Sequence, residues 1–306
     1  RRVLFRSTLF PNQPIKTFSI FYDGKNEVDE RPFVREVVDK YKTVDPFYFS
    51  PTEQQIEDSF DKVAYHADVP LLGSTFISQH FLMKLAKEKG VTVAIDGQGA
   101  DEYLGGYLHS FYRLLASQAS SLQLGAFAST FSHHLQREKY GFGKAVEILA
   151  KTGASLFFDE SKIYNLEYKQ KQAYFKSLQS VAFEKKSNNG LDDFLYQLLF
   201  NTTLQTLLHF EDRNSMTFSL ESRVPFLDHR LVEFAFTLNN NDKINTKAET
   251  KFLLRESMRS VLPKAVYERK DKKGFVTPGE VKWLDGPLKQ LLDVDYSNLE
   301  FLNVGQ

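Results

Sequence analysis

The sequence predicts an α/β fold, with a parallel sheet near its start and a mostly helical second part. Over residues 8–106, short apolar runs rich in branched and aromatic residues alternate with helical patterns. From residue 107 onward the strand signal is weak, and apolar residues recur at helical spacing. Continuous apolar strands that alternate with helices are typical of a parallel sheet covered on both faces.

Three strands and three helices are predicted in the first part. The pattern of branched, aromatic and apolar residues places the strands at 15–22, 44–49 and 91–95 and the helices at 31–41, 52–66 and 76–89. Pro46 interrupts the second strand. Thr52 and Gln55 form a capping-box pattern at the start of the second helix, and Gly90 ends the third.

The second part is predicted to consist of helices joined by short loops. Apolar periodicity places these helices at 107–118, 121–138, 143–151, 166–183, 191–209, 229–238, 249–261 and 279–292. The clearest loop is Lys185–Gly190, which is polar and ends in glycine. No internal repeat divides the chain further, so we expect one domain over residues 8–306, with subdivisions 8–106 and 107–306.

Composition excludes several classes of site and partner. The 306 residues contain no cysteine, so a disulfide, a thiolate metal site and a cysteine nucleophile are excluded within them, which fits a reducing cytoplasm. The net charge is zero, so no overall field favours nucleic acid or an anionic membrane. No apolar run approaches the ~18–20 residues that span a bilayer. We therefore expect a cytoplasmic protein, with neither nucleic acid nor membrane as a partner.

The first seven residues, Arg1–Ser7, are predicted to be a non-native segment. Their sequence, RRVLFRS, resembles the translation of a sequencing adapter. The alternative is a natural strand start, because Val-Leu-Phe is apolar.

A glycine-rich segment follows the third predicted strand and carries the strongest functional signal. In an open parallel sheet, ligands bind beyond the carboxyl ends of the strands. Gly97 and Gly99 let backbone amides approach an anionic ligand. Asp101 and Glu102 are hard oxygen ligands that suit Mg²⁺ shared with nucleotide phosphates. The residues alone also fit an ordinary glycine-rich turn with surface acids.

Three ordered segments give the chain a resemblance to a known family. The sequence DGQGADEYLGGY at 96–107 resembles the signature of the asparagine synthetases, and residues 209–235 and 246–275 are similar to two further motifs of that family. The segment IKTFSI at 15–20 resembles the strand that lines the adenine pocket in relatives. The resemblance implies a synthetase domain of the ATP-pyrophosphatase type, with a Rossmann-like, adenine nucleotide α-hydrolase-like sheet.

The resemblance also implies roles for residues near the nucleotide. Asp101 matches the position that holds Mg²⁺ in the family, and its neighbour Glu102 is a second metal candidate. The backbone at Asp96 and Gly97 matches a nucleotide contact, together with Gly99 and the adenine-contacting position Ile20. Core packing is an equally simple role for Ile20. Gln98 stands where some relatives have glutamate; a glutamine can hydrogen-bond an intermediate but cannot act as a base at neutral pH.

Charged residues in the two later motifs complete the set of candidates. Glu221 and Arg223 are expected to position aspartate, or else to belong to a structural ion-pair network. For Asp212 and Arg213 we expect the structural role. Lys272, in a basic cluster ending in Gly-Phe, matches the family lysine that stabilises charge in the transition states. Without the resemblance, that cluster is a solvated basic loop.

The resemblance implies a reaction that extends beyond this chain. Relatives use ATP and Mg²⁺ to convert aspartate to β-aspartyl-AMP, which ammonia from an N-terminal glutaminase domain then attacks. Their pyrophosphate loop, Ser-Gly-Gly-x-Asp-Ser-Ser, does not occur before Ile15. We therefore expect this piece alone to be inactive. A β-lactam synthetase-like ligase and a non-catalytic nucleotide-binding module are the alternatives. A homodimer is compatible with the resemblance.

Overall fold

The computed structural model describes residues 9–10, 12–22, 29–71, 73–157, 184–269 and 280–293. Contacts between these residues divide them into two compact units. Unit 1 comprises the described residues up to Gln98, Thr206–Pro225, and those from Leu254 to Asp293; unit 2 comprises those from Gly99 to Gln205 and Phe226–Leu253. Each unit thus combines segments that are distant in sequence.

Four strands form two parallel ladders in unit 1. Strands β1 (Ile15–Ile20) and β2 (Val44–Phe49) pair along their whole length, from Ile15 opposite Val44 to Ile20 opposite Phe49. Pro46 lies within this register, opposite Thr17, so the prediction that it interrupts the strand was wrong. Proline lacks only its own N–H and is compatible with a strand when that donor is not needed for the ladder.

The second ladder joins β3 (Val93–Ile95) to β4 (Glu221–Arg223), and β4 was not predicted. The prediction that the strands are covered on both faces also fails here. Val93 and Ile95 expose 40% and 46% of their surfaces. A parallel α/β arrangement is therefore confirmed, but β3 carries one open face.

Three helices connect the strands of unit 1, close to their predicted positions. These are α1 (Arg31–Lys40), α2 (Glu53–Ala67) and α3 (Thr75–Glu88). The predicted capping box of α2 is confirmed: the Gln55 N–H donates to Thr52 Oγ1 at 3.2 Å, and the Thr52 N–H donates to Gln55 Oε1 at 2.9 Å. Two of the four orphan amide groups of the first turn thereby gain partners.

The rest of the described chain is mostly helical, as predicted. Its helices are α4 (Ala100–Tyr103), α5 (Leu108–Ser120), α6 (Leu124–Glu138), α7 (Phe142–Phe157), α8 (Gly190–Phe200), α9 (Thr203–Met216), α10 (His229–Thr237), α11 (Asn240–Lys243), α12 (Phe252–Ser257), α13 (Lys264–Glu268) and α14 (Glu280–Leu284), with 3₁₀ turns at Pro225–Leu227 and Lys289–Asp293. None of those in the described part of the chain is long and apolar enough to cross a membrane.

Several helix predictions differ from the structure in extent. The predicted helix 191–209 is two helices, because the chain turns at Asn201 and Thr202, whose N–H groups both donate to Gln197 O. The predicted helix 249–261 is only Phe252–Ser257. It is preceded by Lys251 and Ala248 in left-handed conformations, which a helix cannot accommodate. The predicted helix 166–183 lies outside the described residues.

Each unit has its own hydrophobic core. A central cluster of unit 1 consists of Tyr22, Ile56, Val63, Ile77, Phe81, Trp283 and Leu288. In unit 2, one cluster combines Leu114, Leu191, Phe194, Leu195, Leu198 and Ile244, and a second combines Phe111, Tyr112, Leu115, Ile148 and Ala248. Each core contains residues from separate stretches of sequence, so neither can form from one continuous segment.

Candidate functional site

In unit 1, the first residues of the glycine-rich segment directly extend the β3–β4 ladder. The Asp96 N–H donates to Arg223 O at 2.8 Å, and the Gly97 N–H donates to the carboxylate of Asp96. The turn Asp96–Gln98 therefore begins at the carboxyl ends of two parallel strands, which is where ligands bind in open α/β sheets.

The open face of this ladder carries a charged pair next to the two exposed apolar side chains. Val93 pairs with Glu221 and Ile95 with Arg223, and paired residues project from the same side of a sheet. The Arg223 Nε donates to Glu221 Oε1 at 2.7 Å, although the two side chains are 62% and 58% exposed. This hydrogen bond lowers the pKa of Glu221 and raises the pKa of Arg223.

The opposite face of β4 is anchored by a residue that sequence reasoning missed. Ser222 donates to the buried carboxylate of Glu211. Nearby on the same helix, the Asn214 side chain donates to Phe76 O at 3.0 Å and to Gln79 Oε1 at 2.9 Å. In the sequence, Glu211 is one charged residue among many, and no local pattern marks it as buried. The position of its partner Ser222 is set by the pairing of β4 with β3.

Asp212 and Arg213, expected to form a structural ion pair, are 4.0 Å apart at their closest charged atoms. Arg213 lies closer to Asp68, with Nε at 3.3 Å from Oδ2. Ile20, the candidate adenine contact, is half-buried and packs against the central cluster of unit 1. These surroundings support packing at Ile20, and its nucleotide contact remains a prediction.

In unit 2, the glycine at 99 is required by local packing. Its φ is +103°, a conformation that side chains rarely adopt, and a Cβ there would lie 2.2 Å from Leu227 Cδ2. Gly105 has φ +68°, and a Cβ would lie 2.9 Å from Ile244. The two glycines thus bring the turn around α4 against the residues that follow β4 in the sequence.

Asp101, the principal metal candidate, forms an ion pair with Lys251. The side chains are 29% and 16% exposed. The Gly106 N–H donates to Asp101 O at 2.9 Å, and a Cβ at position 106 would lie 1.6 Å from Asp101 Oδ1. The carboxylate therefore rests on a glycine that cannot be replaced without moving it. No local signal could have identified Lys251, which is 150 residues away in sequence.

Glu102, the second metal candidate, is turned into the interior of unit 2. It is 1% exposed and accepts a hydrogen bond of 2.6 Å from the Tyr107 hydroxyl. Burial first, and then the Glu102 carboxylate, raise the pKa of Tyr107 well above its ordinary value. This arrangement supports a packing role for Glu102, while Asp101 remains partly open to solvent.

The fit of a metal ion rests on Asp101. Within the ranges described, no group of three or more His, Asp or Glu side chains is placed to hold a metal ion. Asp101 nevertheless offers a hard oxygen donor, and its partner in this structure is the ammonium group of Lys251. Lys272 lies outside the described residues, as does all of the basic cluster after Arg269.

A cavity of about 920 Å³ lies elsewhere in unit 1. Apolar side chains line most of it, including Phe60, Ile77, Trp283 and Leu288, with Asp68 among the few polar ones. Of the candidate site residues that the structure describes, none lines this cavity. The candidate residues belong to each unit separately: the turn Asp96–Gln98 follows β3 in unit 1, and the carboxylate of Asp101 lies beside Lys251 in unit 2.

Comparisons with known proteins identify the relatives of the chain. Residues 5–300 match the family described as Asparagine synthase. Asparagine synthetase [glutamine-hydrolyzing] 1 of Bacillus subtilis is 28% identical over 281 residues, covering 86% of this chain and 42% of that protein. Asparagine synthetase [glutamine-hydrolyzing] 3 of the same organism is 24% identical over 273 residues, covering 84% and 39%.

A relative with a different name covers more of this chain. Amidase chry2 of Gibberella zeae is 23% identical over an alignment of 337 positions that covers 97% of this chain and 48% of that protein. The chain thus spans less than half the length of each of these relatives. Since the family match extends over nearly all of its residues, the chain belongs to the asparagine synthase family.

Proposed function

We propose that this chain is the synthetase part of an ATP-dependent, amide-forming ligase that converts aspartate to asparagine. The aspartate side-chain carboxylate attacks the α-phosphorus of ATP, which gives β-aspartyl-AMP and releases pyrophosphate. Ammonia then attacks the acyl carbon and releases AMP. The observation that carries this proposal is the family match over residues 5–300, within which the glycine-rich segment follows a parallel strand.

We assign nucleotide and metal binding to the glycine-rich segment. The backbone of Asp96 and Gly97 is the proposed nucleotide contact in unit 1, at the carboxyl ends of β3 and β4. Gly99 and Ile20 are weaker candidates, because each already has a packing role. Asp101 is the residue we propose to hold Mg²⁺, which would neutralise phosphate charge when bound. Glu102 supports this region through its bond to Tyr107.

Glu221 and Arg223 are proposed to position the amino acid. They present one charge of each sign on an exposed face, 2.7 Å apart. An amino acid zwitterion carries the complementary pair of charges, so its carboxylate can accept from the Arg223 guanidinium while its ammonium donates to Glu221. Because the two side chains are exposed, this exchange leaves no buried charge without a partner.

Gln98 and Lys272 complete the proposed catalytic set. Gln98 can donate and accept hydrogen bonds around the acyl intermediate, but it cannot remove a proton from ammonia at neutral pH. Lys272 supplies a point charge to the developing negative charge. We further propose that ammonia comes from an N-terminal glutaminase domain of the same protein, since the two Bacillus subtilis relatives are named as glutamine-hydrolyzing. A homodimer is an expectation that light scattering can test.

Pyrophosphate release by the full-length protein tests the substrate assignment. With ATP, Mg²⁺ and ammonium ions, we expect release that depends on aspartate but not on glutamate. Arg223→Met should raise the KM for aspartate at least about tenfold, with little change in the KM for ATP. Lys144→Met removes a comparable exposed pair, with 2.8 Å between Lys144 and Glu147, and is the control. Release that does not depend on aspartate would refute the assignment.

A second candidate is an amide-forming enzyme that acts on another carboxylate. Its support comes from the proteins named amidases, Amidase chry2 and Amidase chyE of Penicillium rubens, which cover 97% and 94% of this chain at 23% identity. Pyrophosphate exchange measured with a panel of carboxylic acids separates the two candidates. A non-catalytic nucleotide-binding module would bind ATP without exchange in every case.

A further inference from the structure

We propose that Lys251 is a positioning residue that occupies the carboxylate of Asp101 and competes with a divalent cation for it. This inference rests on the proposed function in one respect, namely that Asp101 is the residue offered to the metal. It concerns how this chain controls that carboxylate, and it assigns a role to a lysine that the sequence motifs did not single out.

The burial of the pair distinguishes it from the exposed ion pairs on the protein surface. Lys251 and Asp101 are 16% and 29% exposed, whereas the exposed pair Lys264–Glu268 has values of 86% and 59%. Screening by water weakens exposed pairs to a small contribution. A pair held partly out of water interacts more strongly, so Lys251 is a persistent occupant of this carboxylate.

The backbone before Lys251 is shaped to direct its side chain. Lys251 itself has φ 52°, and Ala248, which is fully buried, has φ 59°. The side chain of Asn245 accepts from the N–H groups of Lys247 and Glu249, at 3.0 and 2.9 Å, which fixes the turn between them. The Lys251 N–H donates to Leu104 O at 3.3 Å, next to the turn that carries Asp101. Non-glycine residues in the left-handed region are strained, and such a conformation persists only where surrounding contacts hold it. The hydrogen bonds of Asn245 and of the Lys251 N–H provide those contacts.

Asp101 has little freedom to leave the ammonium group. Its carboxylate rests on Gly106, and the backbone of Gly106 donates to its carbonyl oxygen. A divalent ion that binds here must therefore displace the ammonium or share the carboxylate with it. Sharing brings like charges together in a partly dry environment, which is unfavourable. Metal binding thus becomes an exchange of one cation for another, and the apparent affinity for the free ion falls.

Binding of Mn²⁺ to the nucleotide-free 306-residue chain tests this proposal directly. Electron paramagnetic resonance measures free Mn²⁺, without ATP, aspartate or any activity. We expect Lys251→Met to tighten Mn²⁺ binding roughly fivefold or more, because the competing charge is gone. Lys251→Arg keeps the charge and should bind Mn²⁺ like the wild type. Lys247→Met removes an exposed lysine from the same turn and is the matched control.

Asp101→Asn separates failure of the inference from failure of the metal assignment. If Asp101→Asn weakens Mn²⁺ binding but Lys251→Met does not tighten it, the competition is refuted and the metal assignment to Asp101 survives. If Asp101→Asn has no effect, both are refuted. Neither result depends on whether aspartate is the substrate, which the pyrophosphate assay decides.

A measurement on the unaltered protein covers the case in which Lys251→Met does not fold. Reductive methylation followed by mass spectrometry reports the accessibility of each lysine amine. We expect methylation of Lys251 to increase at saturating Mg²⁺, relative to Lys247 in the same sample. Unchanged methylation of Lys251 under those conditions would overturn the exchange of cations.

Discussion

The backbone at Gly99 adopts φ +103°, and Leu227 occupies the space where a side chain would begin. Gly99→Ala is expected to destabilise the protein by about 2 kcal/mol or more, since it combines backbone strain with a clash. Gly153 lies inside helix α7, and a Cβ added there would meet no other atom within 4 Å. Gly153→Ala should therefore stabilise by ~0.5–1 kcal/mol. Urea denaturation of the two variants tests the prediction, and equal effects would contradict it.

Tyr107 supports the buried carboxylate of Glu102 through its hydroxyl. Tyr107→Phe removes that donor while keeping the ring, so a carboxylate that is 1% exposed loses a hydrogen bond. We expect a loss of about 1–3 kcal/mol in the free energy of unfolding. Tyr65→Phe, at a side chain that is 79% exposed, should change it by less than ~0.5 kcal/mol. Thermal melts of both variants provide the measurement, and a stable Tyr107→Phe protein would show that other contacts suffice for Glu102.

For single residues, the sequence predicts which chemical group is present better than it predicts which residue that group contacts. The acids at 101 and 102 look equivalent in sequence, yet one is partly open and faces Lys251 while the other is buried against Tyr107. In a helix of only four residues, the periodicity of the sequence cannot show which of the two acidic side chains is buried. Lys251 becomes visible only when the chain brings residues 101 and 251 together.

At the scale of one element, the capping box of α2 stabilises the start of that helix through contacts between Thr52 and Gln55. Thr52→Ala removes the acceptor for the Gln55 N–H, and we expect a loss of about 1 kcal/mol. Thr52→Ser retains the hydroxyl and should lose much less. Equilibrium unfolding in urea distinguishes them. If alanine and serine behave alike, water replaces the cap without loss.

Local signals also explain which elements the sequence predicts. The helix α2 carries its start signal in residues 52–55 and its apolar face in Ile56 and Val63, so pattern alone locates it. Strand β4 has only the three residues Glu-Ser-Arg, without apolar alternation. It becomes a strand because the Glu221 N–H donates to Thr92 O at 2.9 Å and the ladder continues to Arg223. That pairing partner is more than a hundred residues earlier in the chain.

For the whole molecule, two buried histidines predict how stability depends on pH. His80 in unit 1 and His134 in unit 2 are each 3% exposed, and desolvation is the main cause that lowers the pKa of each to about 4. An unfolded histidine titrates near pH ~6.5. Between these values the unfolded chain binds more protons, so stability falls as the pH drops from about 6.5 to about 4.

The slope of stability against pH measures this effect. Each histidine contributes up to ~1.4 kcal/mol per pH unit inside that window. The double variant His80→Gln/His134→Gln should show a smaller slope between pH 6.5 and 4.5 in urea unfolding, whatever its absolute stability. His133→Gln replaces an exposed imidazole beside His134 and controls for the substitution itself. An unchanged slope in the double variant would rule out these two histidines as the cause of the pH dependence of stability.

The contact between Asp101 and Lys251 has a consequence for the order in which the protein folds. The cap of α2 joins residues three apart, whereas this pair closes a loop of 150 residues. Closing a flexible loop of that length costs on the order of 4 kcal/mol in chain entropy, more than one ion pair returns. The pair therefore forms only after the intervening helices have packed. A nascent or partly refolded chain would contain its first helices well before Lys251 reaches the carboxylate of Asp101.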